Sequence, residues 1–203
     1  MKKELASFRD FLRTGRLGPI SPTLKMNEVA ELLGIPAHAD SDYWTFGKLE
    51  ISFDEEAPHK MKWLQIEEAG YLAGDFEVFT DRLVLLLDNF NGYTKPSDFL
   101  RAGLWAPENA TLFYTASLRD IELNICAGAI QIHFRVDADF IEDRDAEKYL
   151  DSVTMSKLVG DIDHRTKIDS IYSYSHPALE QISGAIDWRP IDGRNYLDLV
   201  GNR

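Results

Sequence analysis

Two heptapeptides eighty-one positions apart limit what this chain can become. Gly47-Lys48-Leu49-Glu50-Ile51-Ser52-Phe53 and Gly128-Ala129-Ile130-Gln131-Ile132-His133-Phe134 both read Gly-x-aliphatic-x-Ile-x-Phe. Apolar residues at every second position define a strand with one buried face. A glycine leading a two-residue link from a preceding strand suits a type II′ hairpin. In each case a helical pattern lies upstream. The chain therefore reads as a helix followed by an antiparallel meander, used twice. Two unrelated amphipathic strands after a glycine turn would share the same pattern, so duplication stays one of two explanations.

The rest of the chain fits this frame. Leu5, Phe8, Phe11 and Leu12 are spaced for a short amphipathic helix that ends at Gly15. Leu24–Leu33 is predicted as a second helix, with Gly34 as its stop and Pro36 beyond. Thr94 is placed to cap a third, over residues 95–104. Strands are expected at Tyr43–Phe46, Leu49–Phe53, Met61–Glu67, Arg82–Leu87, Thr111–Ala116, Arg119–Ala127, Ala129–Val136 and Ile168–Tyr174. A further helix is read over Asp145–Leu158 and a short one after His176-Pro177. The expected class is α+β, an antiparallel sheet with helices on one face. Residues 1–90 form one helix-plus-meander unit. Residues 91–203 form a second with an acidic extension, or the two make one continuous domain.

The loop Leu17-Gly18-Pro19-Ile20, the helix end Leu33-Gly34-Ile35-Pro36 and the hairpin Trp44–Phe53 follow one another in a familiar order. This part resembles a group of small uncharacterised bacterial cytoplasmic proteins with a Leu-Gly-x-Pro turn and a Tyr-Gly-x-Leu hairpin. The pattern is also similar to the β-lactamase-inhibitor-protein fold and to small outer-membrane assembly lipoproteins. The resemblance implies a protein-binding module without catalytic residues, such as an immunity or inhibitor-like protein of a bacterial toxin system. The family places Ser or Thr at the helix N-cap where this chain has Lys25, so Thr23 or Ser21 is expected to cap instead.

Charge narrows the partners. The chain has 203 residues, with 34 acidic and 22 basic ones, for a formal charge of −12. Such a field repels phosphate backbones and anionic lipid, and it suits a basic protein partner. Lys60 and Lys62 are too few for a nucleic-acid patch. The longest apolar run, Leu83–Leu87, cannot span a bilayer. The single cysteine, Cys126, excludes an intramolecular disulfide and lies in an expected strand as a buried thiol. The amino terminus lacks the apolar stretch of a signal peptide, so a cytoplasmic location is expected.

No phosphate loop, nucleophile elbow, zinc motif or dinucleotide fingerprint is present. No cofactor is expected, and an enzyme is the less favoured class. Its one foothold is Asp161, Asp163 and His164, whose oxygens and imidazole could hold a divalent cation in a metal-assisted hydrolase. A small-ligand sensing module is the other alternative. The binding candidates are aromatic: Tyr43, Trp44, Trp63 and Tyr114, on an open sheet face that could also carry Tyr172. His133, alternating with Ile132 and Phe134, should face away from the core.

Overall fold

The computed structural model describes residues 3–116, 121–136, 159–160, 162–182 and 190–201. It has an α+β architecture built on two sheets. The larger holds nine strands: β2 (His38–Ala39), β3 (Tyr43–Phe46), β4 (Leu49–Phe53), β5 (Met61–Ile66), β8 (Thr111–Ala116), β9 (Ile121–Ala127), β10 (Ile130–Val136), β11 (Thr166–Tyr174) and β12 (Ile191–Asp192). Their order is β12-β8-β9-β10-β11-β5-β4-β3-β2, and every neighbouring pair is antiparallel. The smaller sheet has the order β1-β7-β6, from Glu4–Ser7, Leu83–Leu86 and Phe76–Val78, with β1 parallel to β7. Its inner residues Ala6, Leu83 and Leu85 join the main core, while Leu5, Phe76, Val78 and Leu86 are exposed.

The two meanders meet edge to edge where β5 pairs with β11. One sheet and one main hydrophobic core therefore run through both halves of the chain. The registers reveal an internal pseudo-two-fold. Leu49 pairs with Ile66, Ile66 with Ile171 and Ile171 with Ile132, making one row. Ile130 pairs with Ser173, Ser173 with Leu64 and Leu64 with Ile51, making the adjacent, inverted row. The axis passes through the Gln65–Tyr172 pair and superposes the two heptapeptides position by position. Both glycine turns have positive φ at the first turn position only, +63° at Gly47 and +57° at Gly128, as type II′ demands. The register shifts at Ser52/Phe53 in β4 and at His133/Phe134 in β10, again at equivalent positions.

Helices α1 (Phe8–Thr14), α2 (Met26–Leu33) and α3 (Pro96–Arg101) all contribute to the main core, through Phe8, Phe11 and Leu12, Val29 and Leu33, and Phe99 and Leu100. Phe99 meets Phe134 of β10 edge-on at 5.9 Å. Helix α4 (Ala178–Ile182) differs: Ala178 packs with Phe113 and Cys126 on the opposite face of the sheet. Helix α5 (Gly193–Gly201) sends Tyr196 into the main core.

Several boundaries depart from those expected. Residues 4–7 are a strand, and Leu5 is 64% exposed, because Ser7 stops the strand and caps α1 by accepting the Asp10 N–H at 3.1 Å. Neither Thr23 nor Ser21 caps α2. Their hydroxyls bond each other at 2.7 Å, and Lys25 is the N-cap residue, its N–H donating to the Glu28 carboxylate at 2.8 Å. Helix α3 stops at Arg101, and Lys95 rather than Thr94 is its N-cap. Leu83–Leu86 forms no part of the large sheet. The acidic stretch over 137–151, the helix expected over 145–158 and Asp161 lie outside the described residues.

Candidate functional site

Strand alternation sorts the aromatic candidates onto two faces. In β3, Trp44 and Phe46 pair with Ile51 and Leu49 and share their core side. The Trp44 ring meets Phe53 at 5.2 Å and Phe46 at 6.4 Å, both edge-on. Trp44 is therefore a core-side packing residue, which corrects its assignment to the open face. Tyr114 is corrected likewise. It pairs with core-facing Leu123 and is only 4% exposed, so it cannot anchor a partner.

Tyr43 and Trp63 are on the opposite face, flanking Ser52 in one cross-strand row. Their rings approach to 6.1 Å at 64°, although β4 lies between their strands. The contact is possible because Ser52, between them, is small enough for the rings to close above it. Trp63 then meets Tyr172 of β11 at 5.7 Å and 73°, and Tyr172 stacks on Tyr174 at 5.7 Å and 7°. All four rings are partly exposed. They form a continuous aromatic row over β3, β5 and β11. Tyr174 is the member of the row that sequence patterning did not single out. Its only signal is the two-residue spacing from Tyr172, which puts both rings on one face of β11.

Polar and acidic groups continue the row. The Tyr174 hydroxyl donates to Gln131 Oε1 at 2.8 Å, and Gln131 Nε2 donates to Asn124 Oδ1 at 2.7 Å. Glu50 and Asp169 lie close enough to Glu67 to act on its carboxylate. Burial, then the charges of Glu50 and Asp169, raises the Glu67 carboxyl above its ordinary value. Gln65 donates a hydrogen bond to Glu67 and opposes that rise. The Tyr43 phenol is also raised, first by burial and then by its hydrogen bond to Glu50. His133 faces this side, as expected, with Nε2 2.9 Å from Glu122 and Nδ1 3.4 Å from Asp169. Arg135 Nε is 2.7 Å from the other Asp169 oxygen.

The Asp/His cluster does not converge. Asp163 is fully buried, and its carboxylate accepts the Ser97 N–H at 2.9 Å, the Ser97 hydroxyl at 2.7 Å and the Tyr196 hydroxyl at 2.9 Å. Those bonds dock the first turn of α3 against α5. His164 is exposed, with Nδ1 2.7 Å from Lys95 Nζ. The two side chains thus serve different partners. Among the described residues, no group of three or more His, Cys, Asp or Glu side chains is arranged for a metal. Cys126 is buried and burial pushes its thiol up to about 12, which leaves almost no thiolate at neutral pH. No described helix is long and apolar enough to cross a membrane.

Neither the sequence nor the fold finds a match among known protein families, curated proteins or solved structures.

Proposed function

We propose that the chain is a non-catalytic protein-binding module whose partner is a basic protein, held on the open sheet face. The observation that carries this reading is the aromatic row Tyr43–Trp63–Tyr172–Tyr174 set beside the carboxylates Glu50, Glu67 and Asp169. Partly exposed aromatics on a rigid sheet are suited to be binding anchors. Neighbouring carboxylates attract Lys and Arg side chains, which also stack on aromatic rings. The formal charge of −12 would speed encounter with a cationic partner. On the resemblance of the Leu17–Ile66 sequence pattern alone, the proposal extends to an immunity or inhibitor-like role in a bacterial cytoplasm.

Selection of displayed random peptides on the immobilised protein tests this. Enrichment of Lys- or Arg-containing sequences is expected, with binding weakened by salt. It should be lost in Trp63→Ala and in Glu50→Gln/Glu67→Gln. A selection without basic enrichment, or one indifferent to both variants, would refute the reading.

A further inference from the structure

Beyond the carboxylates, at the other end of the aromatic row, the charge reverses. A groove of about 750 Å³ opens where Trp63 and Tyr174 form part of the wall. Lys60, Lys62 and His176 line it, opposed by the single carboxylate of Asp54. Both lysines are exposed, and neither has an ion-pair partner among the described residues. That is an unusual local balance in a chain of charge −12. The backbone beneath is fixed, since Ser175 N–H donates to the Lys62 carbonyl at 3.3 Å and joins the end of β11 to β5. Trp63 and Tyr174 are held by their ring contacts with Tyr172, so the aromatic part of the wall is already formed.

Concavity, flat aromatic walls and ammonium groups without an ion-pair partner among the described residues together define a ligand chemistry. The volume falls within the range of about 300–1,000 Å³ usual for small-molecule sites. We propose that this groove binds a planar aromatic anion, its ring against Trp63 and Tyr174 and its anionic group between Lys60 and Lys62. The shared chemistry is a flat ring carrying a carboxylate or a phosphate. The site differs from the basic-partner face in its charged residues, while Trp63 and Tyr174 are common to both.

Two probes separate the sources of that chemistry: indole-3-propionate as an aromatic carboxylate and adenosine 5′-monophosphate as an aromatic phosphate. Each is titrated at up to millimolar concentration while the amide resonances of Lys62 and Ser175 and the Trp63 indole N–H resonance are followed. Saturable shifts at these groups with at least one probe are expected, and the tighter probe identifies the class. Affinity should fall about tenfold or more in Lys60→Gln/Lys62→Gln, a change between exposed side chains. The neutral indole-3-propanamide should bind correspondingly more weakly. Glu50→Gln/Glu67→Gln should retain the anion while losing cationic peptides, so the two readings fail separately. No saturable shift with either probe, or equal affinity for the acid and its amide, would overturn the assignment.

Discussion

Trp63 and Trp44 lie on strands separated by β4, and their rings on opposite faces belong to different chemistries. Trp63 stands in the open row, so Trp63→Ala should weaken partner binding by about 2 kcal/mol. Trp44 packs on Phe46 and Phe53, so Trp44→Ala should instead lower folding stability by about 3 kcal/mol. Paired thermal melts and binding isotherms separate the two, and a steep loss of melting temperature in Trp63→Ala would contradict its placement. Glu67 gives a second test. Its raised folded-state value means that the folded chain holds this proton more tightly than the unfolded chain does. Its contribution to stability is therefore fully present below the unfolded carboxyl range and is lost as pH rises through the folded value. Glu67→Gln should raise the melting temperature at pH 7 and lose that advantage near pH 4. An equal shift at both values would show that charge is not the cause. At this scale the sequence showed that Tyr43–Phe46 must alternate, but alternation alone leaves open which pair is inward. Ser52 resolves it, because a small residue between two rings leaves room only on one face.

Among the elements, α3 depends on a residue far from it in sequence. Asp163 satisfies the Ser97 N–H in the first turn and the Tyr196 hydroxyl of α5 at once. Asp163→Ala would strand these buried donors and should destabilise the fold by about 3 kcal/mol, readable by denaturant titration. Mg²⁺ or Zn²⁺ should leave the wild-type melting temperature unchanged, since Asp163 already serves protein donors and His164 faces Lys95. A metal-dependent rise abolished by Asp163→Asn would restore the cation site. Local patterning made the hairpins and α2 legible, because glycine turns and apolar period are written within a few residues. It could not show that residues 4–7 extend as a strand, whose partner β7 is about eighty residues away. Nor could it separate Asp163 from His164, which adjoin in sequence and diverge because one faces the core and the other solvent.

For the molecule as a whole, the decisive junction is β5 against β11. Since one sheet and one core span both halves, heat or denaturant should unfold the described body in a single transition. Tryptophan fluorescence and far-ultraviolet circular dichroism should give coincident midpoints, and two separated steps would mean that the meanders are stable alone. The repeated heptapeptide announced two similar units in sequence. Their edge-to-edge union was not legible, because strand pairing across more than a hundred residues leaves no local mark. The pseudo-axis has one more consequence. It carries Tyr43, Ser52 and Trp63 onto Asn124, His133 and Ser170, through equivalent strands and registers. A platform with the same side chains on both halves would accept a visitor either way round, each pose being the other turned by 180°. Here the row of Tyr43, Ser52 and Trp63 carries two rings, and its mate offers the amide of Asn124, the imidazole of His133 and the hydroxyl of Ser170. A symmetric frame has thus become a surface with a direction, and whatever docks on it is told which way to point.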